Sequence, residues 1–281
     1  MDPLQAAKAA AFQALHKKPG AFVIPNPWDR GTARMLAALG YEALATTSAG
    51  LSFTLGRRDS ERAVSRDETF ANAAEIASVT ALPVSADLEN GFGDAPEAVA
   101  QTIRLSSATG IVGASIEDAS GKRRQPIYDF TLAVERIAAA AEAARSLPFP
   151  FCLTARAENF QFGRPDIGDT IRRLQAYAEA GADVLYAPAL PNLETIRRVC
   201  ASVEKPVNIV IGVGGPQYPV AALADAGVKR ISLGSALIRA ALGGFLKAAG
   251  EVQERGTFSF VEETPAFAEV ANYMAGSGDG P

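Results

Sequence analysis

The chain has few of the side chains that build catalytic triads and zinc sites: one histidine and two cysteines in 281 residues. His16 lies in the N-terminal helical segment, before the first predicted strand. This excludes a Ser-His-Asp triad and a histidine-ligated metal as the basis of an activity. Cys152 and Cys200 are isolated, so neither a disulfide framework nor a zinc site is expected, and a reducing cytoplasm is favoured. The chemistry is therefore left to carboxylates, arginine, lysine, hydroxyls, backbone amides and a metal.

Long apolar runs and an excess of positive charge are also missing. No apolar stretch reaches the roughly 18 residues of a membrane span, and the N-terminus lacks the charged-then-apolar order of a signal peptide. The net charge is −4 and no run of Lys and Arg forms a basic face, so nucleic acid is not an expected partner. A hydrophobic content of 48% is typical of a well-packed enzyme. We therefore expect a cytoplasmic enzyme without membrane or nucleic-acid partners.

Short apolar runs alternate with helical periodicity along nearly the whole chain, which predicts parallel strands joined by helices. Gly40, Gly181 and Gly227 each follow a helical segment just before the next strand, as C-cap glycines do. Eight such units in about 220 residues predict a (β/α)₈ TIM barrel over residues 20–250, preceded by a helix over 3–17. The strands are predicted at 21–25, 42–46, 82–87, 111–117, 151–156, 183–187, 206–211 and 229–233.

The C-terminal part holds one helix more than a barrel requires. Helices are predicted over 235–251 and 264–275, and the tail 276–281 is expected to be disordered. We interpret residues 1–281 as a single barrel domain with a C-terminal helical extension over 251–275. The additional helix is expected to pack on another subunit.

Carboxylates gather at the predicted C-terminal ends of strands three and four. Asp87 and Glu89 are two residues apart, so on an extended backbone they project from the same face, and Glu117 ends the neighbouring strand. Three converging acids repel one another unless a cation or shared protons relieve them. Oxygen ligands without a nearby His or Cys favour Mg²⁺, or Mn²⁺, over zinc.

Residues at the other strand ends predict a pocket for a small anion. Arg156 is a natural anion clamp, because a guanidinium pairs bidentately with carboxylate or phosphate. The small residues at 48–50 let backbone N–H groups approach a substrate oxygen. The predicted substrate-binding residues are Trp28, Ser48, Ala49, Gly50, Arg156 and Asn208.

Each of these features has a structural alternative. The acids could cap helices or pair with arginine, and Arg156 could be a structural partner of Glu89 or Glu158. The glycines in 212–215 lie where barrels often bind phosphate, although tight turns need glycine anyway. Lys122 belongs to a basic segment after Glu117 that is either a solvated loop or a lid.

Taken together, these residues resemble the isocitrate lyase/phosphoenolpyruvate mutase superfamily over about residues 19–250. The resemblance implies a barrel whose last helix is swapped between subunits of a homodimer or homotetramer. The matching stretches are Asn26-Pro-Trp-Asp29, Ser48-Ala-Gly50, Gly56-Arg-Arg-Asp59, Ala86-Asp-Leu-Glu-Asn-Gly-Phe-Gly93, Ile116-Glu-Asp118 and Ala155-Arg156.

The same resemblance implies roles for individual residues. Mg²⁺ would be held by Asp87, with Glu89 and Glu117 helping directly or through water. The segment 48–50 would hold the substrate carboxylate or enolate oxygen. Asp59 would lie near the reacting centre, and Arg156 would bind the anionic end of a small carboxylate.

The chain departs from the superfamily pattern in the segment after Glu117. Lyases that act on isocitrate or methylisocitrate carry a Lys-Lys/Arg-Cys-Gly-His loop there, whose Cys is the acid/base. Here the segment 118–126 has neither Cys nor His, and it also lacks the Lys-x-Asn-Ser-Leu segment of the phosphonate-forming mutases. Lys122 is the residue that could substitute electrostatically, and a short lid would close less completely.

These observations favour a Mg²⁺-dependent C–C lyase or decarboxylase acting on a small 2-oxo or 2-hydroxy carboxylate through an enolpyruvate-like intermediate. Two alternatives stay open: P–C bond chemistry, as in a phosphonomutase or a phosphonopyruvate hydrolase, and a 2-oxo acid binding protein without turnover. The predicted catalytic residues are Asp59, Lys122 and Arg156. Isocitrate and methylisocitrate are expected to be poor substrates.

Overall fold

A computed structural model describes residues 3–59, 63–213 and 216–275. The helices are α1 (Pro3–Lys17), α2 (Arg30–Ala38), α3 (Ser48–Thr54), α4 (Arg66–Ser78), α5 (Pro96–Ser106), α6 (Phe130–Arg145), α7 (Ile167–Glu179), α8 (Leu193–Ala201), α9 (Val220–Asp225), α10 (Ala236–Arg255) and α11 (Phe267–Met274), with 3₁₀ turns at Ser107–Thr109 and Ser259–Glu263. The strands are β1 (Phe22–Ile24), β2 (Leu44–Ala45), β3 (Val84–Asp87), β4 (Gly113–Glu117), β5 (Ala119–Lys122), β6 (Gln125–Ile127), β7 (Cys152–Arg156), β8 (Val184–Tyr186), β9 (Val207–Val210) and β10 (Arg230–Ser232).

Eight of these strands form one parallel sheet in the order β1-β10-β9-β8-β7-β4-β3-β2. The gap between β1 and β2 is bridged by the Ala45 N–H, which donates to the Pro25 carbonyl at 3.0 Å. The predicted (β/α)₈ barrel is thus confirmed, and each predicted strand contains the observed one. The predicted ends were one or two residues too long because ladder pairing stops before the apolar run does.

The barrel interior is closed from below by α1. Phe12 on this helix is completely buried. A Cβ on Gly113 would lie 3.0 Å from the Phe12 ring and 2.8 Å from the Cys152 carbonyl, so only glycine lets α1 approach β4 and β7 this closely. The strands β8, β9 and β10 are buried along their full length, as expected for a parallel sheet covered on both faces.

The segment after Glu117 differs from its prediction. It was expected to be a loop, but β5 and β6 pair antiparallel as a two-stranded hairpin above the barrel. Glycine and charged residues give this segment a weak strand signal. At its base, the Tyr128 N–H donates to the Asp118 carbonyl at 2.8 Å.

The two C-terminal helices lie where they were predicted, but most of their side chains are exposed. Only two of the twenty residues of α10, Ile238 and Glu251, are buried, and Phe245 is 67% exposed. The shorter α11 packs on α2 of the same chain, where Arg34 donates to the Met274 carbonyl. Helix swapping between subunits therefore stays a prediction, and the tail predicted over 276–281 lies outside the described residues. None of the described helices combines the length and the apolar character that a bilayer span requires.

Candidate active site

Two adjoining cavities open at the C-terminal ends of the barrel strands. The first, about 160 Å³, extends down into the barrel. The second lies beside it, against Glu89 and Glu117. Four residues line both cavities: Ser48, Asp59, Arg156 and Gln161.

Arg156 is surrounded by carboxylates. Its Nη1 lies 3.3 Å from Asp87 Oδ1, its Nη2 lies 3.1 Å from Glu117 Oε2, and its Nε lies 2.8 Å from Glu158 Oε1. The β4–β7 register produces this arrangement, because it sets Glu117 directly beside Arg156. The structural alternative named for Arg156, a pairing with Glu158, is thus present, and the positive charge is shared among three acids before any substrate arrives.

The acids outweigh the single arginine. Burial raises the pKa of Glu117 well above its ordinary value, against the lowering effect of Arg156, and the nearby carboxylates of Glu158 and Asp87 raise it further. Burial likewise raises the pKa of Glu158. Burial alone would lower the pKa of Arg156, but Glu158 and Glu117 raise it well above its ordinary value, so the guanidinium stays charged. A cluster with this charge imbalance gains from a divalent cation.

Glu89 reaches this cluster by a turn rather than along an extended strand. The strand β3 ends at Asp87, and Glu89 has a φ of 47°. The prediction that Asp87 and Glu89 project from the same face of an extended strand was therefore wrong. Its carbonyl accepts from the Glu117 N–H at 2.9 Å, which brings the two acids together. The buried side chain of Leu88 anchors the turn from below.

The donor chemistry of the cluster suits Mg²⁺ or Mn²⁺. Besides Arg156, two neutral donors contact Asp87: Ser48 Oγ is 3.0 Å from Oδ2, and Ser115 Oγ is 3.4 Å from Oδ1. Across the described ranges, no three His, Cys, Asp or Glu side chains are already arranged as a metal cage. Arg156 stands among the acids instead, so a bound cation would have to share them with its guanidinium.

The segment 48–50 opens helix α3, and its glycine serves packing. A Cβ on Gly50 would lie 2.5 Å from Thr47 Cγ2 and 2.9 Å from Trp28 Cβ. The Gly50 N–H already donates to Thr47 Oγ1 at 3.2 Å, which leaves Ser48 and Ala49 to line the cavity. Trp28 lies behind Gly50 and is not among the residues that line the two cavities.

Of the remaining predicted site residues, two line the cavities and one does not. Asp59 is exposed at the rim of both cavities, and Asn208 is buried at the floor of the first. Lys122 lies on the hairpin, where its Nζ forms an ion pair with Asp94 Oδ2 at 2.8 Å, and it lines neither cavity. Its predicted catalytic role therefore has no geometric support. Of the glycine segment 212–215, residues 214–215 lie outside the described residues.

Three residues of the site were missed. Gln161 follows β7 in a loop that carries no sequence signal. Tyr186 lies in the cavity with its ring 4.8 Å from the Arg156 guanidinium, and burial raises the pKa of its phenol strongly. Arg230 lies within a predicted buried strand, and a charged residue at such a position was a signal that could have been used.

Asp118 completes the Ile-Glu-Asp stretch but does not point into the site. Its Oδ1 accepts from the Glu158 N–H at 2.8 Å, and its Oδ2 accepts from Tyr177 at 2.6 Å and from Arg173 at 2.9 Å. This buried carboxylate fixes the backbone between Glu117 and the hairpin.

An acid-rich site at the carboxyl ends of barrel strands, where such folds place their chemistry, defines the class of the protein as a (β/α)₈-barrel enzyme. The particular family follows from comparison with known proteins. The family model described as phosphoenolpyruvate phosphomutase matches residues 12–253, and the chain belongs to this family.

Individual relatives agree with this assignment. The protein Rv1998c of Mycobacterium tuberculosis is 33% identical over 226 residues, which cover 80% of this chain and 82% of that protein. The crystal structure of a "putative lyase/mutase" from Burkholderia cenocepacia J2315 is 54% identical, with a TM-score of 0.95 and 98% of each chain covered. The structure of 2,3-dimethylmalate lyase, a PEP mutase/isocitrate lyase superfamily member, is 25% identical, with a TM-score of 0.84 and 95% of each chain covered. The resemblance inferred from the motifs is thus confirmed at the level of a superfamily of lyases and mutases.

Proposed function

We propose that the protein is a Mg²⁺-dependent lyase or decarboxylase that breaks a C–C bond next to the carbonyl of a small 2-oxo or 2-hydroxy carboxylate. The observation that carries the proposal is the cluster of Asp87, Glu89, Glu117 and Glu158 around one arginine, beside a cavity lined by hydroxyl and amide groups. The likeness to 2,3-dimethylmalate lyase supports a lyase reaction, and the absence of a Lys-x-Asn-Ser-Leu segment after Glu117 favours C–C over P–C cleavage.

The acids divide into those that would hold the metal and those that support it. Asp87 would bind Mg²⁺, with Glu89 and Glu117 binding directly or through water. When bound, the ion would polarise the substrate carbonyl and stabilise an enolate oxygen. Glu158 Oε1 accepts from Arg156 Nε, so we assign this acid to the arginine and not to the ion. The pairing holds the guanidinium against the cluster.

The substrate would be oriented by groups on α3 and at the strand ends. Ser48 lines both cavities, and its hydroxyl gives its one proton to Asp87 Oδ2. Once the ion takes over that carboxylate oxygen, the hydroxyl would be released to donate to a substrate oxygen. Ala49 lies next to Ser48, at the start of the helix. A donor held at the cavity wall can stabilise negative charge that develops on the substrate with little reorganisation.

Proton transfer would use the cavity and not the hairpin. Tyr186 stays protonated because burial raises its pKa, and the Arg156 guanidinium over its ring would stabilise the phenolate left after proton transfer. After loss of CO₂, the phenol would give its proton to the enolate carbon, and water would return a proton to the phenolate. Asp59 at the rim is a second group able to exchange protons with solvent.

The proposal is tested by proton NMR on a panel of small 2-oxo and 2-hydroxy acids, oxaloacetate among them, with Mg²⁺ and with EDTA. We expect Mg²⁺-dependent product formation that Asp87→Asn reduces by at least about a hundredfold, while the exposed control Glu42→Gln keeps wild-type rates. Binding without turnover would favour the 2-oxo acid binding protein.

The P–C alternative is kept because the matching family model is that of a phosphomutase. It predicts conversion of phosphonopyruvate, which phosphorus-31 NMR detects directly. Conversion of phosphonopyruvate with no turnover of the carboxylate panel would replace the C–C proposal.

A further inference from the structure

Arg230 is a buried cation at the floor of the first cavity. It lies on β10 and is 5% exposed, yet it is one of the residues that line the cavity. The neighbouring strand β9 sets Asn208 beside it in the ladder. Neither the superfamily motifs nor the acid cluster involves this residue.

The partners of Arg230 are all neutral. Its Nε donates to Asn208 Oδ1 and its Nη2 donates to Thr154 Oγ1, both at 2.8 Å. Among the residues that the structure describes, no carboxylate forms an ion pair with it, and the groups that raise its pKa against burial are the Cys152 thiol and the Tyr186 phenol. Arg156, by contrast, has three carboxylates. The uncompensated positive charge of the cavity therefore lies at Arg230.

The third partner, His16, is also neutral. Its Nδ1 is 2.8 Å from the Phe12 carbonyl, which can only accept, so Nδ1 carries the ring proton. Its Nε2 is left as an acceptor 3.5 Å from Arg230 Nη1. Burial and, second to it, the charge of Arg230 lower the pKa of His16 to about 4, so the ring carries no charge near neutrality.

These contacts leave some N–H donors of the Arg230 guanidinium without an acceptor. Three of its five N–H donors have acceptors in Asn208, Thr154 and His16, which leaves two on the terminal nitrogens. A buried charge without a counter-ion is costly, and the cost is offset when a carboxylate accepts two parallel hydrogen bonds from the guanidinium.

We propose that Arg230 forms an anion subsite at the cavity floor and that the substrate carries a second carboxylate, which this residue binds. This inference rests on the proposed function, in which the 2-oxo or 2-hydroxy acid end of the substrate binds at the metal site beside Asp87. The substrate class is accordingly narrowed to short acyclic dicarboxylates with a 2-oxo or 2-hydroxy group.

The barrel register connects the two ends. Asp87 pairs with Ser115 in the β3–β4 ladder, and Ser115 pairs with Thr154 in the β4–β7 ladder. Thr154 in turn accepts from Arg230. Two strand spacings separate the backbones of Asp87 and Thr154, on the order of 10 Å, and side chains from both ends shorten the gap. A molecule with four or five carbons fits this span, and a monocarboxylate would leave Arg230 unpaired.

The test uses matched ligand pairs that differ only in the second carboxylate. Malate is compared with 2-hydroxybutyrate, and 2-oxoglutarate with 2-oxopentanoate, by calorimetry on the Mg²⁺-loaded protein. For at least one pair we expect the dicarboxylate to bind roughly tenfold to a hundredfold more tightly. The variant Asn208→Asp, nearly isosteric, places a carboxylate against Arg230 Nε and should remove most of this preference. Arg230→Gln should remove it entirely, with monocarboxylate binding little changed.

The outcomes separate the subsite from the proposed function. An unchanged dicarboxylate preference in Asn208→Asp, or in an Arg230→Gln protein that melts like wild type, would overturn the subsite while leaving the function intact. If no oxyacid binds with Mg²⁺, the proposed function fails, and succinate binding in EDTA then decides the subsite. Succinate bound by wild type and lost in Asn208→Asp supports the subsite, and equal or absent binding in both proteins overturns it.

Discussion

The single histidine offers a quantitative test of the barrel floor. His16 is neutral in the folded protein, with a pKa lowered from 6.5 to about 4 by burial and by Arg230. The unfolded chain binds a proton at this residue below about pH 6.5, whereas the folded protein does not until about pH 4. The free energy of unfolding must therefore fall as the pH decreases between these values.

The size of the effect follows from the same two values. Between pH 7.5 and pH 5, the linkage at one such site amounts to about 2 kcal/mol. A chain of 281 residues has an unfolding entropy of about 0.6 kcal/mol/K, so the melting temperature should fall by about 3 °C from this site alone. Carboxylates titrate in the same range, and a matched variant is needed to separate them.

His16→Gln provides that comparison. It loses the edge-on ring contacts with Phe12 and Phe22, which lowers its stability by an amount that does not depend on pH. The melting-temperature difference between wild type and variant should therefore shrink by about 3 °C from pH 7.5 to pH 5. Because the chain has one histidine, its ring protons can be followed by NMR without assignment. A ring that titrates near pH 6.5, or a difference that is constant with pH, would refute the buried His16–Arg230 contact.

The other predictions concern subunit assembly, the β5–β6 hairpin and proton transfer. Light scattering at micromolar concentration should give a dimer or tetramer, because Ala240, Leu242 and Phe245 on α10 need a partner surface; a monomer would contradict this. Isocitrate and methylisocitrate should be cleaved poorly because the β5–β6 hairpin carries no thiol. Efficient formation of glyoxylate and succinate from isocitrate would show that the thiol is dispensable. Tyr186→Phe should lower kcat at least about tenfold with KM little changed; wild-type kcat with the best substrate of the panel would exclude the phenol as proton donor.

The barrel was predictable because its signals are local. Each strand is a short apolar run, and glycines such as Gly40, Gly181 and Gly227 end the helices that precede strands. The β5–β6 hairpin was not predictable in this way. Strand β5 contains Gly121 and Lys122 and β6 contains Pro126, so neither has a strong strand signal, and the hydrogen bond that closes the base joins Tyr128 to Asp118, ten residues apart.

The site was predicted as a set of residues but not as a set of pairings. Asp87, Glu89 and Glu117 follow recognisable strands, so their convergence could be inferred. The capture of Arg156 by Glu117 could not, because it depends on the register between β4 and β7. For the same reason Lys122 looked available on sequence grounds, although the hairpin pairs it with Asp94.

The buried carboxylate of Asp118 separates the acid cluster from the hairpin, which matters for redesign of this protein. Asp118 directly follows Glu117. Its carboxylate accepts from Arg173 and Tyr177 on α7 and from the Glu158 N–H just after β7. Because these contacts hold Asp118, we expect substitutions or insertions in the hairpin beyond it to shift Glu117 little. The hairpin is therefore a position where a different acid/base could be introduced without rebuilding the acid cluster underneath.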